Sequence, residues 1–155
     1  MADSPIKGIQ GALSAIITVG GKEVPKSQQL RSLEIVKEIN RIPYAIISIQ
    51  DGIPSSQNFE HSEEANYEPG KDVEIKLGHG PGKEKTVFKG IVMEIGVRVN
   101  NLQGTSLVLK CKDKTVGMTV GRKNKMFFDK KDSDIISAVT SEAGFSASAD
   151  ATDAT

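Results

Sequence analysis

Asp72-Val73-Glu74-Ile75-Lys76-Leu77 alternates charged and apolar side chains without a break. Successive side chains of a strand point to opposite faces, so this period of two sets Val73, Ile75 and Leu77 on one face and the three charges on the other. Glu68-Pro69-Gly70 launches the stretch, and Gly78-His79-Gly80-Pro81-Gly82 follows it as a predicted loop. The same pattern returns in Thr105–Lys112, with Leu107, Leu109 and Cys111 sharing a face. These two apolar faces are expected to meet inside one core. Between them, Thr86 to Val99 predicts one long bent strand or two in sequence, with Gly90 and Gly96 as bulge or bend points.

Working outward, Leu13–Val19 is a predicted strand closed by Gly20-Gly21, a hairpin signal before Lys22-Glu23-Val24. Pro43–Gln50 is β-branched and ends at Asp51-Gly52, a pair that tolerates positive φ. Leu30, Leu33, Val36 and Ile39 are spaced by three, which suits an amphipathic helix, while β-branching at Ile35, Val36 and Ile39 suits a strand. The residues leave both open. After Asp129 the chemistry changes. Asp132-Ser133-Asp134 offers an N-cap and an acidic first turn, Ile135, Ile136 and Val139 form an apolar stripe, and Gly144 sits where a C-cap belongs. The expected architecture is therefore mainly β, a barrel or sandwich, with one short C-terminal helix. The expected organisation is a flexible lead-in at 1–12, a β domain at 13–128, the helix within 129–145 and a polar tail at 146–155.

Composition narrows the function. A chain of 155 residues fits one domain, and a single cysteine excludes an internal disulfide. No apolar run is long enough to cross a bilayer as a helix, and the N-terminus lacks a secretion-signal layout, which predicts synthesis in the cytoplasm. Net charge is zero, yet residues 51–74 carry −6 and residues 110–131 carry +6. Such complementary segments are either two solvated faces or the poles of a subunit that docks on copies of itself or on another ring.

No motif in the chain makes an active site. Gly78–Lys83 lacks the first glycine, the Ser/Thr and the helix of a phosphate loop. His61 and His79 have no partner at a metal-ligand spacing, so no metal and no cofactor are expected. Cys111 alternates with Lys110 and Lys112, which places it in the core, away from their charge. The reading is a non-enzyme. The basic stretch with Phe127 and Phe128 keeps a nucleic-acid-binding β-barrel as the alternative, against which stand a pI near 6.7 and adjacent rings that would face opposite ways on a strand.

Seven blocks occur in a fixed order: Asn40–Ala45, Asp51-Gly52 with Phe59–Ser62, Tyr67–Gly70 with Val73–Ile75, Phe88–Val92, Cys111–Lys114, Met118–Asn124 and Asp132–Ile136. Together, from about Leu13 to Phe145, they resemble the N-terminal part of Vgr-type spike proteins of contractile injection machines: type VI secretion systems, extracellular injection particles and phage tail hubs. The resemblance implies a phage-tail-hub-like β-barrel, a homotrimer, and contact with the ring of the inner tube and the remainder of the spike. It implies a structural role in a particle that is released or fired, with no catalytic residue. It also implies that Arg31 to Ile39 is a strand. The family's chains are several times longer, so this chain is expected to be a fragment or a short relative. Arg122, Lys123 and Lys125, beside the family-like Met118-Thr119 block, are the candidate subunit or tube contact.

Overall fold

β-Branched and alternating residues form seven strands in the computed structural model, which describes residues 13–25, 29–51, 67–79, 82–100 and 104–151. They are β1 (Leu13–Val19), β2 (Lys22–Glu23), β3 (Leu30–Val36), β4 (Tyr44–Gln50), β5 (Asp72–His79), β6 (Lys85–Asn100) and β7 (Gly104–Lys112). All pair antiparallel in one sheet of order β2-β1-β5-β6-β7-β4-β3. The fold is mainly β with one short helix, as expected. The segment that the spacing left open is a strand, and it stops at Val36 before Asn40 turns the chain with φ +60°.

The organising element is β6. Its first half pairs with β5, from Lys85↔Leu77 to Ile91↔Asp72, and its second half pairs with β7, from Ile91↔Lys112 to Asn100↔Gly104. At the hand-over Val92 faces Cys111 while its N–H donates to the Lys71 carbonyl (2.9 Å) and its carbonyl accepts from Gly70 N–H (2.8 Å). β6 is thus shared between two ladders. One core results, with Ile17, Val73, Phe88, Val92, Leu109 and Ile47 among its members. Cross-strand rows run through it, such as Val92–Cys111–Ala45–Ile35 and Ile95–Leu109–Ile47–Leu33. The expected meeting of Leu107, Leu109 and Cys111 with Val73 and Ile75 is observed, and half-buried Leu77 packs against the same cluster.

Two details differ from expectation. In the two ladders of β6 the register shifts lie between Ile75 and Lys76 and between Val92 and Glu94, not at Gly90 or Gly96. Gly90 instead permits a close approach. A Cβ there would strike the Lys112 carbonyl oxygen and come within 2.9 Å of the Phe88 ring, so the crossing of β6 from β5 to β7 requires its bare backbone. The second difference is at Gly78-His79. These residues extend β5 instead of leaving it, because β1 runs alongside and pairs Ser14 with Gly78 and Leu13 with His79.

Met1–Lys114 and Thr115–Thr155 are separate compact units. In the second, a short 3-10 helix over Lys114–Thr119 leads through an irregular stretch to helix α1 (Asp132–Glu142). Asp132 is the first helical residue and not the N-cap. Lys131 holds the cap position with no side-chain bond, while Asp132 and Asp134 still complement the helix dipole. The C-terminus closes as expected on Gly144 (φ +81°), with Phe145 N–H donating to the Thr140 carbonyl (2.9 Å) and Gly144 N–H to Ser141 (3.0 Å).

Candidate interaction surface

Residues 117–145 build a wide concave surface from a strand-free stretch and α1. The short 3-10 helix ends in a turn, with Thr119 Oγ1 donating to the Val116 carbonyl (2.7 Å) and Val120 N–H to Gly117. The chain then runs without regular hydrogen bonding through Arg122–Phe128, and α1 returns beside it. The groove between them has a volume of about 1050 Å³. Met118, Val120, Phe127, Val139 and Phe145 supply apolar walls, and Arg122, Lys123 and Lys125 the charge. The three candidate contact residues are thus brought into one surface.

They are not equivalent there. Lys125 Nζ bonds Glu142 Oε2 at 2.9 Å and stands 5.6 Å from the centre of the Phe127 ring. Lys123 Nζ lies 3.8 Å from Glu142 Oε1. The Lys125 hydrogen bond, helped by the charges of Lys125 and Lys123, holds the Glu142 carboxyl below the ordinary glutamate range. Arg122 makes no ion pair among the described residues. Two of the three cations therefore tie the irregular stretch to α1, a pairing partner that no pattern in the sequence announced. Phe127 is half-buried and Phe128 exposed, and the backbone carrying them is not a strand.

Two further bases of the segment are also paired. Lys110 pairs with Glu94 (2.7 Å) and Lys114 with Asp72 (2.8 Å). On the outer face of β5, Glu74 accepts from Thr86 (2.9 Å) and attracts Lys89 and Lys76, and these contacts, the Thr86 bond first, hold its carboxyl below the ordinary range. Much of the +6 segment is thus neutralised at short range, which weakens its pull on a phosphate backbone.

Elsewhere the chemistry is sparse. Cys111 is buried, and burial pushes its thiol up to about 12, so no nucleophilic thiolate exists at neutral pH. His79 is exposed at the end of β5, and His61 lies outside the described residues, as do Glu60, Glu63 and Glu64 of the acidic segment. Gly78 and Lys85 belong to paired strands, so the glycine-rich stretch joins a hairpin, as expected, and no helix follows it. Among the described residues no group of three His, Cys, Asp or Glu side chains is placed to hold a metal, and no helix is long and apolar enough to cross a membrane.

The family described as "Alg8 N-terminal domain" matches residues 10–155. No curated protein matches the chain. Among solved structures, the 43 kDa tail protein of prophage MuSo2 from Shewanella oneidensis is similar, with a TM-score of 0.59 at 15% identity over 86% of this chain. The likeness covers 39% of that protein, so the chain spans well under half of its length. The fold is one found in a phage tail protein.

Proposed function

The chain belongs to the Alg8 N-terminal domain family, and we propose that it serves as a structural hub or spike-base component of a contractile, phage-tail-like injection machine. On this reading it resembles the N-terminal part of a Vgr-type spike, assembles as a homotrimer, and joins the remainder of the spike to the ring of the inner tube. It is made in the cytoplasm and leaves as part of the particle. It catalyses nothing and holds no cofactor. The observation that carries the reading is the tail-protein fold, matched over 86% of the chain, to which the ordered sequence blocks add. The groove at Arg122, Lys123 and Lys125 is the subunit or tube contact. A buried thiol held at about 12, a Glu74 carboxyl held low by Thr86 and then by lysines, and a Glu142 carboxyl held low by Lys125 suit a scaffold better than an acid–base pair.

Native mass spectrometry and light scattering test the reading. The expected result is a closed oligomer of three copies, and retention of the chain on immobilised rings of the inner-tube protein from the same particle. A chain that stays monomeric at every concentration and is not retained by the rings overturns it. Retention on a DNA or RNA column that falls steeply with salt would favour a nucleic-acid-binding module instead.

A further inference from the structure

β6 changes character along its length. Where β5 lies beside it, its inward-facing Phe88 and Val92 are 3% and 1% exposed. Beyond Val92 the same face carries Ile95, Val97 and Val99, and exposure rises from half-buried Ile95 to 51% at Val97 and 71% at Val99. On β7, the facing Leu109 and Leu107 are fully buried, with Ile47 and Ile49 of β4 beside them. The row Ile49–Leu107–Val97 is therefore dry on two strands and wet on the third. The reason lies where β5 begins. The chain enters β5 through a turn at Pro69-Gly70 (Gly70 φ +92°), so the ladder on that side of β6 closes with the bonds of Gly70 and Lys71 to Val92, and no described strand continues it. From Glu94 to Val99, β6 has a described strand, β7, on one side only. Alternate residues of a strand aim N–H and C=O sideways, so this stretch holds a row of backbone donors and acceptors with no described partner.

We propose that this edge of β6 is a docking site for an extended segment of another protein, which joins the sheet as a strand in line with β5. Edges that must stay single are blunted by brevity, Pro or Lys. β2 has only two residues, and on β3 the inward-facing Leu33 and Ile35 are already half-buried against the core. Glu94–Val99 has neither Pro nor Lys. The chemistry of the occupant follows from the edge. Its backbone is extended, because only a strand meets successive donors and acceptors, and about 5–6 residues, the usual strand length, span the site. Its core-side residues are apolar, to cover Val97 and Val99. On the outer face it brings a carboxylate to Arg98, which makes no ion pair among the described residues, while Glu94 is already bonded to Lys110 (2.7 Å). The site belongs to the unit Met1–Lys114 and stands independently of the groove at 117–145.

Amide hydrogen exchange of the full chain, followed by NMR, tests the proposal with the end-blocked peptide Thr-Val-Glu-Val-Thr-Val as probe. In the dilute free chain, the amides of Glu94–Val99 that point away from β7 are expected to exchange fast, and saturating peptide to slow them at least about tenfold. Val97→Ser with Val99→Ser is expected to weaken peptide binding at least about tenfold. Arg98→Glu is expected to weaken it several-fold at low salt, and a peptide with Lys in place of Glu to restore it. Far-ultraviolet circular dichroism confirms that each variant is folded. The same peptide methylated on alternate backbone nitrogens is the control and is expected not to bind. Protection of those amides in the dilute free chain means that the chain covers its own edge, and overturns the proposal. Protection that appears on concentrating the chain without peptide makes the occupant a second copy, and overturns it too. So does the absence of any effect at millimolar peptide, or an equal effect of the methylated control. A chain retained on tube-protein rings that fails these tests keeps the hub reading and loses this one.

Discussion

At the scale of single residues, Leu109 sits at 0% exposure between Ile47 and Ile95 in its cross-strand row. Leu109→Ala is expected to cost about 2–5 kcal/mol by denaturant unfolding, as buried leucines do, and a loss below about 0.5 kcal/mol would put that face in solvent. Gly90→Ala is expected to cost about 1–3 kcal/mol, since the new methyl overlaps the Lys112 carbonyl. Gly96→Ala, with nothing within 4 Å of its Cβ, is the control and should shift the unfolding midpoint little. The core was legible in sequence because alternation at Val73–Ile75 and Leu107–Leu109–Cys111 depends only on which face is wet. The role of Gly90 was not. A glycine in a strand marks a special backbone position, but whether it permits a bulge or a close approach depends on a neighbour more than twenty residues away. Cys111 makes a further prediction: at pH 8 iodoacetamide should leave the native chain unmodified and react at a rate set by unfolding, because burial holds the thiol at about 12.

At the scale of elements, α1 is held to the preceding stretch by ion pairs more than by burial. Glu142 is depressed by its bond to Lys125 first, and then by the charges of Lys125 and Lys123. A carboxyl lowered in the folded state stabilises that state above its unfolded value, and the contribution is lost as pH falls through the lower folded value. The side-chain carboxyl of Glu142, followed by NMR, should therefore titrate below the ordinary glutamate range, and α1 should loosen from Arg122–Phe128 as pH falls through that lower value. Glu142→Gln is expected to abolish the acid transition and to mobilise Lys125. A Glu142 that titrates at the ordinary value would refute the pairing. The helix itself could be read from Asp134 and Gly144, which act within a turn or two of chain. Its partners could not, because Lys123 and Lys125 look like solvated cations until the fold brings Glu142 beside them. The same limit applies to β3, whose spacing by three suited a helix and which pairing with β4 made a strand.

At the scale of the whole molecule, the sharing of β6 between β5 and β7 fixes an order in time as well as in space. The β5–β6 and β6–β7 ladders join strands that follow one another closely, with only residues 80–84 and 101–103 between them. The flanking ladders are remote: Leu13 must find His79, and Tyr44 must find Lys112. Closing a long loop costs entropy before any contact rewards it, and folds rich in such pairings reach the native state in milliseconds to seconds. The central three strands are therefore expected to pair first, with β1 and β4 adding on either side. Substitutions at Ile75, Phe88 and Leu109 should accordingly slow refolding, while Ile17→Val on β1 should chiefly speed unfolding, as stopped-flow kinetics would show. Before β1 and β4 arrive, that three-strand unit exposes two long unpaired edges. During synthesis the β1–β2 and β3–β4 pairs leave the ribosome before their β5 and β7 partners, so the interval before residue 112 emerges is when mispairing with a neighbouring chain competes most strongly with folding.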